Sequence, residues 1–415
     1  MSNLRRECRS CGKPKLHDVI SLGLTPLANG LLAAEQLTAR EETYPLDLVF
    51  CPCCTLVQIT ETVSPEKLFR EYFYLSSFSV TLLRHAEEIT TRLKQGRRLN
   101  KHSLVIEVAS NDGYLLQFYK SAGIPVLGIE PARNIARVAE TTRGIPTISE
   151  FFDEGLAARL STQGQRADVI HANNVLAHVA DLNGFVRGLR LVLKDDGILV
   201  VEVPYVKDMI DGCAFDTIYH EHLCYFSLTA LNHLFTRHGL AIYDVERLEI
   251  HGGTLRIYAS AGRTTEEMSD APAAVAELLR EEEAWGVADP AFYSTFKEQV
   301  TVLGRSLVAL LRNLKTQGQR IAVYGASAKG STLLNYLNLG RETIEYVVDR
   351  STIKQGLYTP GTHLPIFPPE RLLEDLPDYT LLLTWNFVDE IMLQQIEYRR
   401  RGGKFIVPIP EVRVV

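Results

Sequence analysis

The central part of the chain alternates short apolar runs with segments of helical periodicity. Short apolar runs bounded by turn residues are typical of the buried strands of a parallel sheet. Four such runs follow one another: LVIEVAS (104–110), IPVLGIEP (124–131), DVIHA (168–172) and GILVVEVP (197–204). Two later runs, LAIYDVERL (240–248) and GTLRIYAS (253–260), fit an antiparallel pair at the sheet edge. The pattern predicts an α/β fold with a doubly wound, Rossmann-like central sheet.

The alternation stops and then restarts toward the C-terminus. Residues 266–314 indicate mainly helix, and the charged run REEEAW (280–285) is expected to be a solvated helix face. A second β/α series then follows: IAVYGASAKGSTLLNYL (321–337), IEYVVDR (344–350), YTLLLTW (379–385) and GKFIVPI (403–409). With 415 residues the chain is too long for one ordinary core. We therefore expect three domains, covering residues 1–75, 76–290 and 291–415.

The charge of the chain argues against a nucleic-acid partner. The formal net charge is −6, and the one dense basic run, Arg399–Arg401, is expected on a solvated helix face. The N-terminal sequence MSNLRRECRSCGK lacks the apolar core of a signal peptide, and no apolar run reaches membrane-spanning length. We expect a cytoplasmic protein with reduced thiols and no membrane partner. The sequence does not determine the oligomeric state, and a monomer remains open.

Cysteines are concentrated at the start of the chain. Cys8 and Cys11 form one C-x-x-C motif, and Cys51 and Cys54 form another. Two such motifs supply the four soft ligands that a structural zinc site requires, and four thiolates leave no open coordination position. A redox role would need only one pair, and unliganded buried cysteines are the structural alternative. We predict a structural zinc site and expect Cys53 not to be a ligand.

The turn after the first predicted strand has features of a nucleotide-type site. ASNDGYLL (109–116) stands at the carboxyl end of that strand and opens a helix, where such sheets bind nucleotide-like ligands. A G-x-G-x-x-G fingerprint is absent, since only Gly113 stands in the loop, so a dinucleotide is disfavoured. Glu130 ends the second strand, where a carboxylate could accept both ribose hydroxyls. These features fit S-adenosylmethionine, while a structural turn with a capping acid is the alternative.

Several motifs together resemble one known family. They are the paired C-x-x-C, YFYLSSFS (72–79), EVASNDGYLL (107–116), GIEP (128–131), HANNVLAHV (171–179), YHEHLCYFS (219–227), HGGTLR (251–256) and YGASAKGSTLLN (324–335). In this order they resemble the sugar C-methyltransferases that act on nucleotide-linked 4-keto-deoxysugars in antibiotic biosynthesis. The resemblance covers essentially the whole chain. It implies a zinc-binding N-terminal domain, a central methyltransferase domain and a C-terminal Rossmann-like domain that helps to bind the sugar nucleotide.

The matching positions imply which residues form the sites. We expect S-adenosylmethionine to be bound by Glu107, Ala109, Ser110, Asn111, Gly113, Glu130 and Asn173. The resemblance implies catalytic roles for His222, Tyr219, Glu221 and His178, and for an aromatic residue of EYFYLSS that approaches the sugar. We assign that aromatic as Tyr72 and place Tyr74 in substrate binding, although the sequence does not separate the two.

The chemistry expected of these residues is enolate formation. His178 follows the strand DVIHA and Tyr219–His222 follow GILVVEVP, so both groups belong to loops at the carboxyl edge of the sheet. Carbon 3 of a 4-keto sugar is acidified by the ketone, and a base such as His222 could remove its proton. Tyr219 could bind the ketone oxygen and His178 could assist there. If the segment is extended, Tyr219 and Glu221 share one face and His220 and His222 the other.

The C-terminal turn is a second candidate binding site. Gly325, Ser327, Lys329 and Gly330 open a helix after a strand, and Asp349 ends the next strand. Backbone amides at the helix start, together with Lys329, could bind the pyrophosphate of a thymidine diphosphate (dTDP) sugar. The same pattern could bind NAD, which keeps an NAD-dependent nucleotide-sugar oxidoreductase as the alternative. A third possibility is a support domain without a ligand.

Overall fold

The computed structural model describes residues 5–70, 75–261 and 273–415. Its N-terminal unit is a small antiparallel sheet followed by one short helix. The elements are β1 (His17–Thr25), β2 (Tyr44–Phe50), β3 (Val57–Ile59) and α1 (Pro65–Phe69). The two C-x-x-C motifs flank the first two strands, because the first precedes β1 and the second occupies the turn between β2 and β3.

Helix α2 (Val80–Arg97) leads into the central unit. The Ser79 hydroxyl accepts a hydrogen bond from the Leu82 amide and caps the helix start. The buried positions Leu82, Ala86, Ile89 and Leu93 recur at helical spacing on one face. The elements that follow are β4 (Val105–Val108), α3 (Leu116–Lys120), β5 (Val126–Ile129), α4 (Arg133–Arg143), β6 (Thr147–Ile148), α5 (Glu154–Thr162), β7 (Ala167–Asn173), α6 (Leu182–Val192), β8 (Leu193–Pro204), α7 (Val206–Asp211), β9 (Cys224–Tyr225), α8 (Leu228–Arg237), β10 (Ala241–Leu248) and β11 (Thr254–Ser260).

The central sheet has the predicted Rossmann-like character. Its seven strands lie in the order β10-β11-β8-β7-β4-β5-β6. The five strands from β8 to β6 pair in parallel, while β11 and β10 are added as an antiparallel pair at one edge. Strand β9 leaves this unit and pairs with β3, so it completes the N-terminal sheet instead. The residues just before β9 therefore pass between two domains.

The C-terminal unit is a second parallel sheet preceded by two helices. Its elements are α9 (Ala273–Ala284), α10 (Pro290–Thr316), β12 (Ile321–Tyr324), α11 (Ala328–Tyr336), β13 (Val347–Val348), β14 (Ile366–Phe367), α12 (Arg371–Asp375), β15 (Tyr379–Leu382), α13 (Val388–Gln394), α14 (Ile396–Arg400), β16 (Lys404–Val407) and β17 (Arg413–Val414). The strand order is β14-β13-β12-β15-β16-β17, and only the β16–β17 pair is antiparallel. Within the described ranges, no helix is both long and apolar enough to cross a membrane.

The charged run in α9 is only partly a solvated face. Glu282 is fully buried, and its carboxylate accepts hydrogen bonds from the amides of Leu228 and Thr229 at the start of α8. The expectation for REEEAW is therefore wrong at this position, because the negative charge is used to cap a helix N-terminus. Helix α10 packs against the N-terminal sheet, where the rings of Tyr293 and Phe50 stack with centroids 4.2 Å apart.

Candidate active site and metal site

The four cysteines predicted as metal ligands converge at one point. The sulfur atoms of Cys8, Cys11, Cys51 and Cys54 all lie within 4.8 Å of one another. The Cys8–Cys54 and Cys11–Cys51 sulfur pairs are 3.4 and 3.6 Å apart. Four thiolates at tetrahedral Zn–S bond lengths lie about 3.8 Å apart, so the cluster has the dimensions of a Zn(Cys)₄ site. Cys53 is exposed and lies outside the cluster.

The turn after β4 is held in an unusual backbone conformation. Ala109, Asn111 and Gly113 have φ values of 57°, 48° and 76°. A Cβ atom on Gly113 would lie 2.9 Å from the Ile145 side chain, so only glycine fits there. Positive φ at two non-glycine residues is unfavourable by about 1–3 kcal/mol each and is typical of ligand-binding turns.

Glu130 stabilises this turn from the end of β5. Its two carboxylate oxygens accept hydrogen bonds from the amides of Asn111 and Ala132, each at 2.9 Å. The Asn111 side chain accepts a further hydrogen bond from the Ser76 amide at 2.9 Å, which joins the turn to the segment before α2. Each carboxylate oxygen has a second lone pair, so Glu130 can still accept a ribose hydroxyl.

The surroundings of the turn are acidic. Burial raises the pKa of Glu107 well above its usual value and raises the pKa of Glu130 to about 7. Glu107 Oε2, Ser110 Oγ and Asn173 Oδ1 are buried without hydrogen-bond partners in the described part of the chain. S-adenosylmethionine carries a sulfonium cation, an amino group and ribose hydroxyls, which suit acidic and acceptor groups.

The predicted catalytic residues lie in a turn, which we call the catalytic turn (Tyr219–His222). The His222 amide donates to the Tyr219 carbonyl at 2.9 Å, so the segment is not extended. The alternation of faces that an extended segment would have therefore does not apply. Tyr219 and His222 lie on the same side, with the Tyr219 hydroxyl 2.8 Å from His222 Nε2. The turn lies beside the loop that follows β7, since the next residue, Leu223, donates its amide to the Ala177 carbonyl in that loop.

Hydrogen bonding fixes the tautomer of His222. Its Nδ1 lies 3.0 Å from the carbonyl oxygen of Thr217, which can only accept a hydrogen bond. Nδ1 therefore carries the proton in the neutral ring, and Nε2 carries the lone pair. The Tyr219 hydroxyl donates to that lone pair. The structure thus presents His222 in the tautomer that a general base at Nε2 requires.

His178 and Glu221 lie beside this pair. His178 Nδ1 donates to the Glu221 carbonyl at 2.7 Å, and burial lowers the pKa of His178 to about 4. The ring of His178 also contacts the backbone of Asn174, and its centroid lies 4.9 Å from that of the His222 ring. The expected help of His178 at an oxyanion stays a prediction.

Glu221 is bound from the N-terminal domain. Glu221 is 4% exposed, and its Oε1 accepts a hydrogen bond of 2.7 Å from the side-chain nitrogen Nδ2 of Asn29. Burial raises the pKa of Glu221 to about 7. His220 also faces the N-terminal domain, where its Nε2 donates to the Pro45 carbonyl at 3.1 Å. His220 thus joins two domains, whereas His222 points into the site.

The C-terminal turn uses its polar groups internally. The Ser327 hydroxyl accepts from the Gly330 amide at 3.0 Å, and Asp349 accepts from the amides of Ala326 and Ser351, both at 2.8 Å. Asp349 therefore binds two backbone amides of the C-terminal turn, as Glu130 does at the turn after β4. Gly330 is needed for packing, since a Cβ atom there would lie 2.6 Å from Leu383.

Lys329 lies in the interface with the central domain. Its Nζ is 4.8 Å from the centroid of the Trp385 ring. Trp385 Nε1 in turn donates to Asp216 Oδ2 at 2.7 Å. Burial raises the pKa of Asp216 and lowers the pKa of Lys329, while each charge partly offsets the shift of the other.

Sequence patterns did not indicate several residues that contact the catalytic turn or the segment before it. These residues are Asn29, Asp216, Thr332 and Trp385. None was singled out by ligand spacing, although Thr332 lies within YGASAKGSTLLN, and their contacts join distant parts of the chain. Tyr72 and Tyr74, expected near the sugar, lie outside the described residues.

Family models match all three parts of the chain. A zinc binding domain matches residues 8–69, a methyltransferase domain matches residues 82–245, and a C-methyltransferase C-terminal domain matches residues 249–410. The order of the three matches is the order that the motifs predict.

Individual proteins show the same relationship. C-methyltransferase NovU of Streptomyces niveus is 37% identical over 409 residues, covering 99% of this chain and 96% of that protein. The ubiquinone biosynthesis O-methyltransferase of Azorhizobium caulinodans is 27% identical over 97 residues, which are 23% of this chain and 38% of that protein. The structure of magnesium protoporphyrin IX methyltransferase from Synechocystis PCC 6803 with bound SAM matches 43% of this chain and 78% of that chain, with 12% identity and a TM-score of 0.33.

The match to NovU extends over nearly the full length of both chains. The zinc binding domain and the methyltransferase domain fit the two predicted cofactors, zinc and S-adenosylmethionine. The predicted family, S-adenosylmethionine and zinc are thereby confirmed. Methyl transfer is accordingly favoured over the hydride transfer of an NAD-dependent enzyme. The chain belongs to the family of zinc-containing, S-adenosylmethionine-dependent C-methyltransferases that its motifs resemble.

Proposed function

We propose that the enzyme methylates carbon 3 of a dTDP-linked 4-keto-deoxysugar through an enolate, in the biosynthesis of an antibiotic sugar. The observation that carries the proposal is the pairing of Tyr219 with His222 Nε2 in a fixed tautomer. Carbon has no lone pair with which to attack a methyl donor. A base next to a group that binds a ketone oxygen is the arrangement that generates a carbon nucleophile.

The residues act in sequence as the substrate binds. The ketone oxygen takes the hydrogen bond of the Tyr219 hydroxyl, which releases the lone pair of His222 Nε2. The C3–H bond then breaks, its proton moves to Nε2, and its electron pair forms the enolate stabilised by Tyr219. S-adenosylmethionine, when bound, would supply the methyl group: the new bond at carbon 3 would form as the S–CH3 bond breaks, and S-adenosylhomocysteine would leave with that electron pair as a neutral thioether. Glu221 accepts hydrogen bonds from sugar hydroxyls and orients the ring, and His178 assists at the ketone oxygen.

The nucleotide part of the substrate is assigned to the C-terminal domain. Helix α11 begins at Ala328 beside Lys329, and Lys354 Nζ donates to the Ala326 carbonyl at 2.7 Å. Two cations and a helix N-terminus at one turn suit a diphosphate. Ser327 and Asp349 shape this turn, and Asp349 retains lone pairs for a ribose hydroxyl. Tyr72 and Tyr74 remain assigned to the sugar.

Hydrogen exchange tests the base directly. The protein is incubated in heavy water with a dTDP-linked 4-keto-deoxysugar, and deuterium at carbon 3 is followed by NMR; product mass is measured after adding S-adenosylmethionine. We expect exchange and then the gain of one CH₂. His222→Asn should slow both by at least about 100-fold while binding S-adenosylmethionine normally.

His220→Gln, which can still donate to Pro45, is the matched control and should react normally. Full activity of His222→Asn would refute the base assignment, and no reaction of the wild type would refute the substrate.

A further inference from the structure

The direction of the His222 ring depends on one backbone carbonyl. Thr217 O accepts hydrogen bonds from His222 Nδ1 at 3.0 Å and from the Tyr225 hydroxyl at 3.2 Å. Thr217 ends a short 3-10 turn, Phe215–Thr217, that lies just before the catalytic turn. A rotation of the Thr217 peptide group would therefore turn the imidazole and weaken its preference for the Nδ1–H tautomer.

The residues on both sides of Thr217 are bound by the C-terminal domain. Trp385 Nε1 donates to the Asp216 carboxylate at 2.7 Å, and Thr332 Oγ1 donates to the Ile218 carbonyl at 3.1 Å. The ring of Phe215 packs against Tyr336 at the end of α11, with centroids 5.3 Å apart. The peptide group that orients His222 is thus fixed from both sides by another domain.

These contacts are strong because they are buried. Asp216 is 1% exposed and Thr332 is 3% exposed. A buried carboxylate that loses a donor has no water to replace it, so each of these hydrogen bonds is costly to break. Lys329 lies over the ring of Trp385, the residue that donates to Asp216. The positive charge of Lys329 favours the ionised form of the Asp216 carboxyl.

We propose that the C-terminal domain, besides any role in substrate binding, positions the general base through Trp385, Asp216 and Thr332. These are positioning residues, since they act on His222 through the Thr217 carbonyl. The proposal rests on the proposed role of His222 as the base. It predicts that damage confined to this interface lowers the rate of proton removal without changing the affinity for S-adenosylmethionine.

Two substitutions remove the contacts separately. Trp385→Phe keeps a ring beside Lys329 but removes the indole donor to Asp216. Its matched control is Trp285→Phe, because Trp285 is the other tryptophan of the chain and contacts Phe292 and Lys207 instead. Thr332→Val removes the donor to Ile218. Its control is Thr380→Val, which removes a buried hydrogen bond of Thr380 to Tyr398 inside the C-terminal domain.

Two readouts test the positioning of His222, and calorimetry checks that the cofactor still binds. The first is the rate of deuterium incorporation at carbon 3, which should fall about tenfold in Trp385→Phe and in Thr332→Val but not in the controls. The second is the ¹⁵N NMR signal of the His222 ring, identified by its absence in His222→Asn. It should report the Nδ1–H tautomer in the wild type and the controls, and a mixture of tautomers in both test variants. Calorimetry should show unchanged binding of S-adenosylmethionine.

The outcomes separate this proposal from the function on which it rests. Wild-type exchange in both test variants would overturn it, as would a loss of S-adenosylmethionine binding in both, since the residues would then serve folding. If the wild type itself catalyses no exchange, the proposed substrate chemistry fails. The tautomer signal, which needs no substrate, then decides: a change in both test variants supports positioning, and no change overturns it.

Discussion

The Tyr219 hydroxyl lies 2.8 Å from His222 Nε2, across a turn that places both side chains on one side. The Thr217 carbonyl fixes the other ring nitrogen, so this hydrogen bond runs from tyrosine to histidine. A phenol that donates to the base can also donate to a ketone oxygen that arrives beside it. In the proposed reaction, the pair therefore links the release of His222 Nε2 to the binding of the ketone that acidifies the substrate.

Tyr219→Phe should impair the chemical step more than binding. The variant retains His222 and its tautomer but lacks the donor for the developing enolate oxygen. We expect kcat to fall about 100-fold, with little change in the KM for S-adenosylmethionine. Steady-state kinetics with product detection by mass spectrometry measures both constants. An unchanged kcat would show that Tyr219 does not contact the reacting ketone.

Glu130→Gln should weaken cofactor binding. An amide side chain has one acceptor oxygen where the carboxylate has two, so the amides of Asn111 and Ala132 can no longer both be satisfied. We expect the Kd for S-adenosylmethionine to rise at least about tenfold, measured by calorimetry.

Asp349→Asn is the matched control, since Asp349 holds the equivalent position in the C-terminal turn. It should leave the affinity for S-adenosylmethionine unchanged and lower the affinity for dTDP. If Asp349→Asn instead lowered only the affinity for S-adenosylmethionine, the ligands assigned to the two turns would have to be exchanged.

Glu221→Gln should stabilise the protein above neutral pH. Burial raises the pKa of Glu221 from 4.5 to about 7, so folding takes up a proton between these values. Ionised Glu221 therefore destabilises the fold, with no penalty below about pH 4.5 and the full penalty above about pH 7. Glutamine removes the penalty and can still accept from Asn29.

The measurement is chemical denaturation of both proteins at several pH values. The variant's advantage in free energy of unfolding should grow across this window to about 3 kcal/mol, from the size of the pKa shift. Other acids contribute equally to both proteins and cancel in the difference. A difference independent of pH would mean that Glu221 titrates alike in the folded and unfolded chains.

Cys51→Ser should remove zinc and loosen the catalytic turn. The N-terminal domain contacts that turn through Asn29 and Pro45 and shares its sheet with β9. We expect loss of metal by elemental analysis, a lower melting temperature and slower methyl transfer, with binding of S-adenosylmethionine retained. Cys53→Ser changes an exposed cysteine outside the cluster and should retain its zinc. Equal zinc content in both variants would contradict the assignment of ligands.

Local sequence patterns predicted the fold well because its elements have local causes. The apolar runs of β4, β5, β7 and β8 appear as strands, and Ser227 caps α8 by accepting from the Ala230 amide. Glu282 shows the limit of this reasoning. Its charged neighbours indicate a solvated face, but tertiary packing buries it against the start of α8.

The candidate site was predicted in its parts but not in its arrangement. Motifs indicated His222, Tyr219 and the four cysteines, because ligand spacing and family motifs depend on residues that are close together in the chain. Residues 219–222 form a turn and not the extended segment considered above, and this turn lies where Leu223 binds Ala177 in the loop after β7 and where β9 pairs with β3. Local propensity holds no information on such pairings.

The sequence by itself determined the strands and helices, the four cysteines of the metal cluster and the motif that contains His222. Only the tertiary structure decided how the His222 ring is oriented. Asn29 contacts Glu221 across 192 positions, Trp385 contacts Asp216 across 169, and Thr332 contacts Ile218 across 114. Hydrogen bonds over such separations leave no periodicity in the chain, because they arise from how complete domains pack. The proton on His222 is placed by that packing.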